Sequence, residues 1–263
     1  MNNIVGVGGV VGVVIISVIS AFVVGGIIMG LFASSPDQIN KVYLYISFFF
    51  GQGIIILPPI YYLNIKKKPI LNAFRIKSIS INTLNYSVVF SLGVLIIFDT
   101  LDRIIHRLVT TPEYIIDLGQ IMQPESTAGY IFLFLAVVIM APIGEEIVFR
   151  GFLQKFLEQH WKDITRAVLV TSLLFAMIHF NPFWTIQIYI LGIILGFLSW
   201  KTQSIIPSII LHSMNNGAAF VLTIFEESDL SIYLYNENVS PIFICLGGYF
   251  IYKGLEGINL IKV

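Results

Sequence analysis

Long apolar runs separated by short polar segments make up most of this chain. A transmembrane helix needs about 20 predominantly apolar residues, and eight runs meet or approach that length. They cover residues 4–33, 42–63, 86–108, 129–150, 164–180, 184–200, 205–225 and 240–261. The fifth and sixth runs are short and are joined by a tight turn at Asn181-Pro182. The pattern predicts an all-α, polytopic membrane protein with about eight transmembrane helices, forming a single membrane domain over residues 1–263.

The charged residues between the runs alternate in sign along the chain. Basic residues occupy one set of loops: Lys66, Lys67, Lys68, Arg75 and Lys77, then Lys155, Lys162 and Arg166, then Lys201, then Lys253 and Lys262. Acidic residues occupy the other set, with Lys41 as its one basic residue: Asp37, then Glu113, Asp117 and Glu125, then Glu226, Glu227, Asp229 and Glu237. Because cytoplasmic loops are enriched in Lys and Arg, this alternation favours an even number of spans with both termini in the cytoplasm.

Composition supports the membrane assignment and argues against other classes of protein. Hydrophobic residues make up 57% of the chain and charged residues 11%, whereas soluble domains carry about 25% charged residues. The formal net charge is zero and no basic stripe follows the chain, so nothing indicates a nucleic-acid partner. The single cysteine, Cys245, cannot form an internal disulfide or a Cys-x-x-Cys metal site.

Three pairs of glycines spaced four residues apart occur in the first and sixth runs. These pairs let helices approach each other closely, although glycine is also common in membrane helices without forming a specific contact. The pairs are Gly8/Gly12, Gly26/Gly30 and Gly192/Gly196.

Charged residues inside the third run form a first polar cluster. Asp99 and Arg103 stand four residues apart, as do Asp102 and His106, so each pair shares a helix face, and Arg107 follows. We interpret the cluster as a self-neutralised polar collar at the outer end of the span. A role in gating or substrate contact is the alternative.

A second polar set is distributed over three runs and is the stronger functional candidate, because lipid penalises ionisable residues inside a span. One such residue pair or one buried histidine is more often structural, but carboxylates, imidazoles, an amide and a cation occur together here. The residues are Glu145, Glu146 and Arg150 in the fourth run, Phe175 and His179 in the fifth, and His212 and Asn216 in the seventh.

Helix geometry separates the roles of these residues. Glu146 and Arg150 are four apart in the favoured acid-before-base order, so we expect them to form an ion pair. Glu145 is rotated by about 100° from Glu146, which leaves it free to act as a general base on water. His212 and Asn216 are also four apart and project from one face. Counting residues puts His212 only about 10–12 Å into its helix, so tilt has to bring it level with Glu145.

The sequence resembles the CAAX protease and bacteriocin-processing family (CPBP or Abi) at these residues. The family pattern is Glu-Glu-x-x-x-Arg, then Phe-x-x-x-His, then His-x-x-x-Asn, and all three parts occur in order within 129–225, the predicted catalytic core. The resemblance implies an intramembrane endopeptidase in which Glu145, with His179, activates water. It also implies that His212 and Asn216 form the oxyanion hole, with Glu146 and Arg150 holding the helix in place.

The family has also been described as zinc-dependent, which would make Glu145, His179 and His212 the ligands. No His-Glu-x-x-His helix exists, so a glutamic mechanism without a cofactor is our preferred interpretation. The resemblance implies a peptide or protein substrate, either a lipidated tail or a leader peptide, in a bacterial cell membrane. Two alternatives are a non-catalytic bacteriocin self-immunity or scaffold protein of the same fold, and a small proton-relaying transporter.

Overall fold

The computed structural model describes residues 6–32, 41–222, 224 and 232–259. Long helical segments follow the predicted runs over this part of the chain: Val7–Phe32, Lys41–Ile65, Ile81–Leu108, Thr127–Trp161, Ile164–Met177, Thr185–Thr202, Ile206–Leu222 and Pro241–Asn259. The prediction of an all-α polytopic membrane protein is confirmed. Among the described residues, four segments are long and apolar enough to cross a bilayer: Val7–Phe32, Lys41–Ile65, Thr127–Trp161 and Thr185–Thr202. Residues Asp37, Glu226, Glu227, Asp229 and Lys262, used above in the charge pattern, lie outside the described residues.

The helices are numbered in chain order. The first six are α1 (Val7–Phe32), α2 (Lys41–Ile54), α3 (Leu57–Ile65), α4 (Ile70–Ala73), α5 (Ile81–Leu108) and α6 (Glu113–Ile121). The segment Thr127–Trp161, called the central helix below, comprises α7 (Thr127–Leu133), a first π-helical segment (Phe134–Met140), α8 (Ala141–Glu146), a second π-helical segment (Ile147–Gln154) and α9 (Lys155–Trp161). The remaining helices are α10 (Ile164–Met177), α11 (Thr185–Thr202), α12 (Ile206–Leu222) and α13 (Pro241–Asn259).

Local sequence explains where several helices begin and break. The Ser80 and Ser126 side chains accept hydrogen bonds from the Thr83 and Gly129 backbone amides at 3.1 Å, which caps α5 and α7. Asp163 caps α10 in the same way by accepting from the Arg166 amide at 2.9 Å. The second run is interrupted between α2 and α3 because Pro58 and Pro59 lack backbone donors.

The central helix is the most buried of the four long apolar segments, and α1 is the most exposed. The second π-helical segment contacts α1, α10 and α11, while α8 contacts α2 and α12. Val148, Phe149, Leu153 and Leu157 on the central helix are fully buried in the main core. Residues 144–154 are all buried, so this part of the central helix carries its side chains into the middle of the bundle.

The polar collar of α5 holds a short hairpin on the predicted outer side. This hairpin pairs β1 (Leu234–Tyr235) with β2 (Asn238–Val239). Arg103 contacts Asp99 at 3.2 Å and donates to the Glu237 carbonyl at 3.1 Å, and Arg107 donates to the Asn236 carbonyl at 3.0 Å. Burial and the Asp99 carboxylate raise the pKa of the Tyr233 hydroxyl, so this group stays a hydrogen-bond donor. These contacts support the structural interpretation of the collar.

Glycine brings α5 and α13 into backbone contact. A Cβ atom added at Gly93 would lie 2.6 Å from the Gly247 carbonyl oxygen and 2.7 Å from the Ile251 nitrogen. One added at Gly254 would lie 2.7 Å from the Phe90 nitrogen. Neither contact was predicted from the sequence, because these glycines are not in the three four-residue pairs. Of those pairs, Gly8/Gly12 and Gly26/Gly30 face open space and only Gly192/Gly196 packs closely.

We expect Gly93→Ala to separate α5 from α13 and to lower the free energy of unfolding by about 1–3 kcal/mol, as other overpacking substitutions do. Thermal unfolding in detergent micelles measures the change. Gly248→Ala is the matched control, since its Cβ meets nothing within 4 Å. Equal stability of the two variants would contradict the close contact.

Candidate active site

A buried ion pair lies at the centre of the candidate site. Glu146 Oε1 accepts a hydrogen bond from Arg150 Nη1 at 2.8 Å, and both side chains are fully buried. Arg150 Nη2 also donates to the Gly192 carbonyl at 3.2 Å, and the guanidinium lies 4.1 Å above the Phe175 ring. The predicted pairing of Glu146 with Arg150 is present, and it neutralises two charges away from water.

His212 joins both glutamates. Its Nδ1 lies 2.9 Å from Glu146 Oε1, and its Nε2 lies 3.8 Å from Glu145 Oε2. A carboxylate paired with Arg150 can only accept, so the hydrogen of this bond belongs to Nδ1 of His212. Nε2 therefore faces Glu145. The imidazole is held in one orientation by Glu146, as second partners commonly orient functional histidines.

Glu145 is buried and weakly engaged. Its side chain is 8% exposed, and its Oε2 atom has no hydrogen-bond partner among the described residues. A buried carboxylate oxygen without a partner is costly to a fold. Glu145 Oε2 lies 3.8 Å from an imidazole nitrogen, so a small side-chain movement would bring the two groups within hydrogen-bond distance.

His179 lies two residues beyond the end of α10, is exposed, and contacts Phe175. Its Nδ1 is 2.7 Å from the Phe175 carbonyl, and its ring meets the Phe175 ring edge-on at 4.8 Å. The Phe175 ring also contacts His212, with centroids 5.7 Å apart. Within the described part of the chain, no hydrogen bond or ion pair joins His179 to Glu145. The structure thus brings His212 to Glu145, and the Phe175 ring contacts both His179 and His212.

Asn216 lies one turn beyond His212 on α12 and is anchored to the central helix. Its Nδ2 donates to the Val137 carbonyl at 3.0 Å, in the first π-helical segment. The amide has a second N–H, so one donor remains for a ligand. π-Helical segments are frequent at functional sites, and here one segment precedes the glutamates and the other follows them.

The ligand set expected for zinc is not assembled. Over the described ranges, no three His, Cys, Asp or Glu side chains lie close enough together to hold a metal ion. Glu145 and His212 approach each other, but His179 does not join them. The residues in this arrangement do not fit a zinc ion.

A polar ladder continues from the ion pair along the central helix and was missed from the sequence. It consists of Glu146, Arg150, Gln154 and Glu158, spaced four residues apart. Gln154 Nε2 donates to Glu158 Oε1 at 2.8 Å and to the Gly196 carbonyl at 2.9 Å, and Arg75 forms an ion pair with Glu158. The regular spacing was the available signal. The ladder fixes the rotation of the central helix against α11.

The matches to known proteins fall on this region. Residues 127–218 match the Rce1-like family, described as type II CAAX prenyl endopeptidase Rce1-like. The predicted family resemblance is confirmed. The Rce1-like segment begins with the central helix and ends in α12, so it contains Glu145, Phe175, His212 and Asn216. This match supports an intramembrane protease role.

One curated relative and the solved structures complete the comparison. The UPF0177 protein YbdI of Lactococcus lactis subsp. lactis (strain IL1403) is 27% identical over 133 residues, which is 48% of this chain and 70% of that protein. No solved structure is significantly similar to the chain.

Proposed function

We propose that this chain is an intramembrane endopeptidase of the CAAX protease type, which hydrolyses a peptide bond with water activated by Glu145. The observation that carries the proposal is the division of labour between two adjacent glutamates. Glu146 is paired directly with Arg150, whereas Glu145 faces the Nε2 atom of His212 and forms no ion pair with an arginine or lysine among the described residues. This pair lies within the Rce1-like segment.

The chemistry follows from the positions of these groups. Glu145 removes a proton from water as the water oxygen bonds to the scissile carbonyl carbon. In the form that carries hydrogens on both ring nitrogens, His212 donates through Nε2, and Asn216 through its remaining N–H, to the developing oxyanion. The carbon–nitrogen bond then breaks, and the proton held by Glu145 passes to the leaving amine. His179 completes the site from the Phe175 side when substrate is bound.

The substrate in this proposal is a membrane-associated peptide, either a lipidated tail or a leader peptide. In this proposal the basic loops face the cytoplasm of a bacterium, the C-terminal end of the central helix lies at the inner membrane surface, and the chain has eight spans with both termini inside. Residues 129–225 act as the catalytic core of one membrane domain.

We expect purified protein in liposomes to generate new peptide termini in membrane proteins isolated from cells that lack it. Mass spectrometry of the termini identifies the cleavage positions. Because the described residues offer no three-ligand metal site, excess chelator is expected to leave the rate unchanged. An absence of termini beyond those in protein-free liposomes would favour the self-immunity or scaffold alternative, and loss of activity with chelator would favour zinc.

A further inference from the structure

A cavity of about 590 Å³ opens where the basic segment after α3 meets the end of the central helix. Its walls come from the end of α3, from α4 with the residues before it, and from residues 152–160. The residues assigned above to peptide hydrolysis do not line it. The cavity is therefore a separate site that the protease proposal does not use.

The rim of this cavity is positively charged. Lys66, Lys68 and Lys155 line it together with His160, and its lining residues include no Asp or Glu. Lys155 is held in place by the side-chain oxygen of Asn72 at 3.0 Å and by the Asn72 carbonyl. The nearby acid, Glu158, forms its ion pair with Arg75 and accepts from Gln154, and none of the three rim lysines forms an ion pair with a carboxylate among the described residues.

Aromatic rings form the apolar side of the cavity. The Tyr62 and Phe152 rings meet edge-on at 5.7 Å, and Phe156 stacks on His160 at 5.5 Å. Beside the cavity, Tyr61 on α3 is 70% exposed and Leu71 on α4 is 64% exposed. Exposed apolar side chains of this kind are suited to contact with the acyl chains of lipids. The cavity thus combines a cationic rim with an aromatic floor and an apolar border.

Helix geometry places the cavity level with the end of the bundle. His212 lies six residues into α12, which is about 9 Å from its start. Phe152 lies six residues beyond Glu146, the residue that His212 contacts, on a helix running the other way. The basic segment is at the same level, because the Ile205 amide donates to the Arg75 carbonyl at 3.2 Å. The lysines therefore lie where phospholipid headgroups are found.

We propose that this cavity binds the phosphate group of an anionic phospholipid of the inner leaflet. The lysines contact the phosphate, and the acyl chains lie against Tyr62, Phe152 and the exposed apolar residues of α3 and α4. Basic pockets between transmembrane helices on the cytoplasmic side commonly bind anionic headgroups in this way. A bound lipid would also hold α4 against the central helix, where the Phe74 carbonyl already approaches Gly151 so closely that a Cβ would lie 2.6 Å away.

The test is thermal unfolding of the full chain in neutral detergent with added phosphatidylglycerol or phosphatidylcholine. Phosphatidylglycerol should raise the unfolding temperature in a saturable way, and phosphatidylcholine should not. The double variant Lys66→Gln/Lys68→Gln should weaken the apparent affinity for phosphatidylglycerol about tenfold or more. The matched control Lys201→Gln/Lys253→Gln removes the same charge on the same predicted side and should retain the affinity.

Four results would overturn the proposal. Equal stabilisation by phosphatidylcholine would show that charge is irrelevant, and an equal loss in the control variant would show only general attraction to an anionic surface. An equal shift with inorganic phosphate would make the site one for a free anion. A larger shift with a soluble acidic peptide would make it a peptide site. Each readout is independent of peptide hydrolysis, so failure here is distinguishable from failure of the protease proposal.

Discussion

Glu145→Gln is expected to lower the rate of peptide cleavage by a factor of about 10²–10⁴, the usual contribution of a general base. The amide keeps the shape of the side chain but cannot take a proton from water. The existing contact of Glu145 is a 3.8 Å approach to His212, so little binding energy is lost and the fold should persist. Initial rates of terminus formation in liposomes, alongside thermal unfolding, measure the two effects separately.

Glu256→Gln is the control for this substitution. Glu256 lies on α13 and pairs only with the exposed Lys253 at 2.8 Å, so both rate and stability should match the unchanged protein. If the Glu145→Gln variant cleaves peptide as fast as the unsubstituted protein, another group activates the water. A large loss of stability would instead show that Glu145 holds the helices together.

The spans could be predicted from the sequence because an apolar run of sufficient length has few other uses. The ends of the helices could not be predicted in the same way, because they depend on single capping residues and on side chains that pack beyond the lipid. In the central helix the apolar run covers 129–150, and the helix continues beyond this run to Trp161. The ladder residues Gln154 and Glu158 find partners in α11 and in the loop before α5, which allows this extension.

Within the candidate site, contacts inside one helix were predictable and contacts between helices were not. Glu146 and Arg150 pair because a spacing of four residues puts them on one face. The bond from His212 to Glu146 depends on how α12 is rotated and how far it slides along the central helix. The sequence pattern does not contain that information. The same limit applies to His179, which was expected to act together with Glu145. In the structure the imidazole that approaches Glu145 is that of His212.

The glycine contacts follow the same rule. A four-residue spacing identifies a smooth helix face, but whether another helix lies there depends on the packing of the bundle. Gly192 and Gly196 accept hydrogen bonds from Arg150 and Gln154 through their carbonyls. Gly93 was overlooked because its partner surface comes from the distant helix α13.

Arg150→Met is expected to lower the free energy of unfolding by about 3–5 kcal/mol, the cost of leaving one member of a buried ion pair without its partner. Glu146 would keep only His212, and the Gly192 carbonyl would lose its donor. The Phe175 ring would also lose the cation above it. Unfolding by denaturant in mixed micelles measures the change.

Two further variants separate loss of charge from loss of packing. Arg107→Met removes an arginine whose side chain is 46% exposed, and it should cost less than about 1 kcal/mol. The double variant Glu146→Gln/Arg150→Met should recover part of the stability lost by Arg150→Met, because neither member of the ion pair is then left as a charge without its partner. If the double variant is no more stable than Arg150→Met, lost packing around the guanidinium accounts for the destabilisation.

These stability measurements also bear on the assignment of the two glutamates. Glu146→Gln removes the carboxylate that Arg150 contacts directly, and leaves a backbone oxygen and an aromatic face as its direct contacts among the described residues. It should therefore destabilise the protein far more than Glu145→Gln, although the residues are adjacent. At a temperature where both variants remain folded, Glu145→Gln should lose more cleavage activity than Glu146→Gln. The expected pair of results is that Glu145→Gln abolishes cleavage with little unfolding, whereas Glu146→Gln unfolds the protein. Together they would require that Glu145 acts on water while Glu146 holds His212 and Arg150 in place.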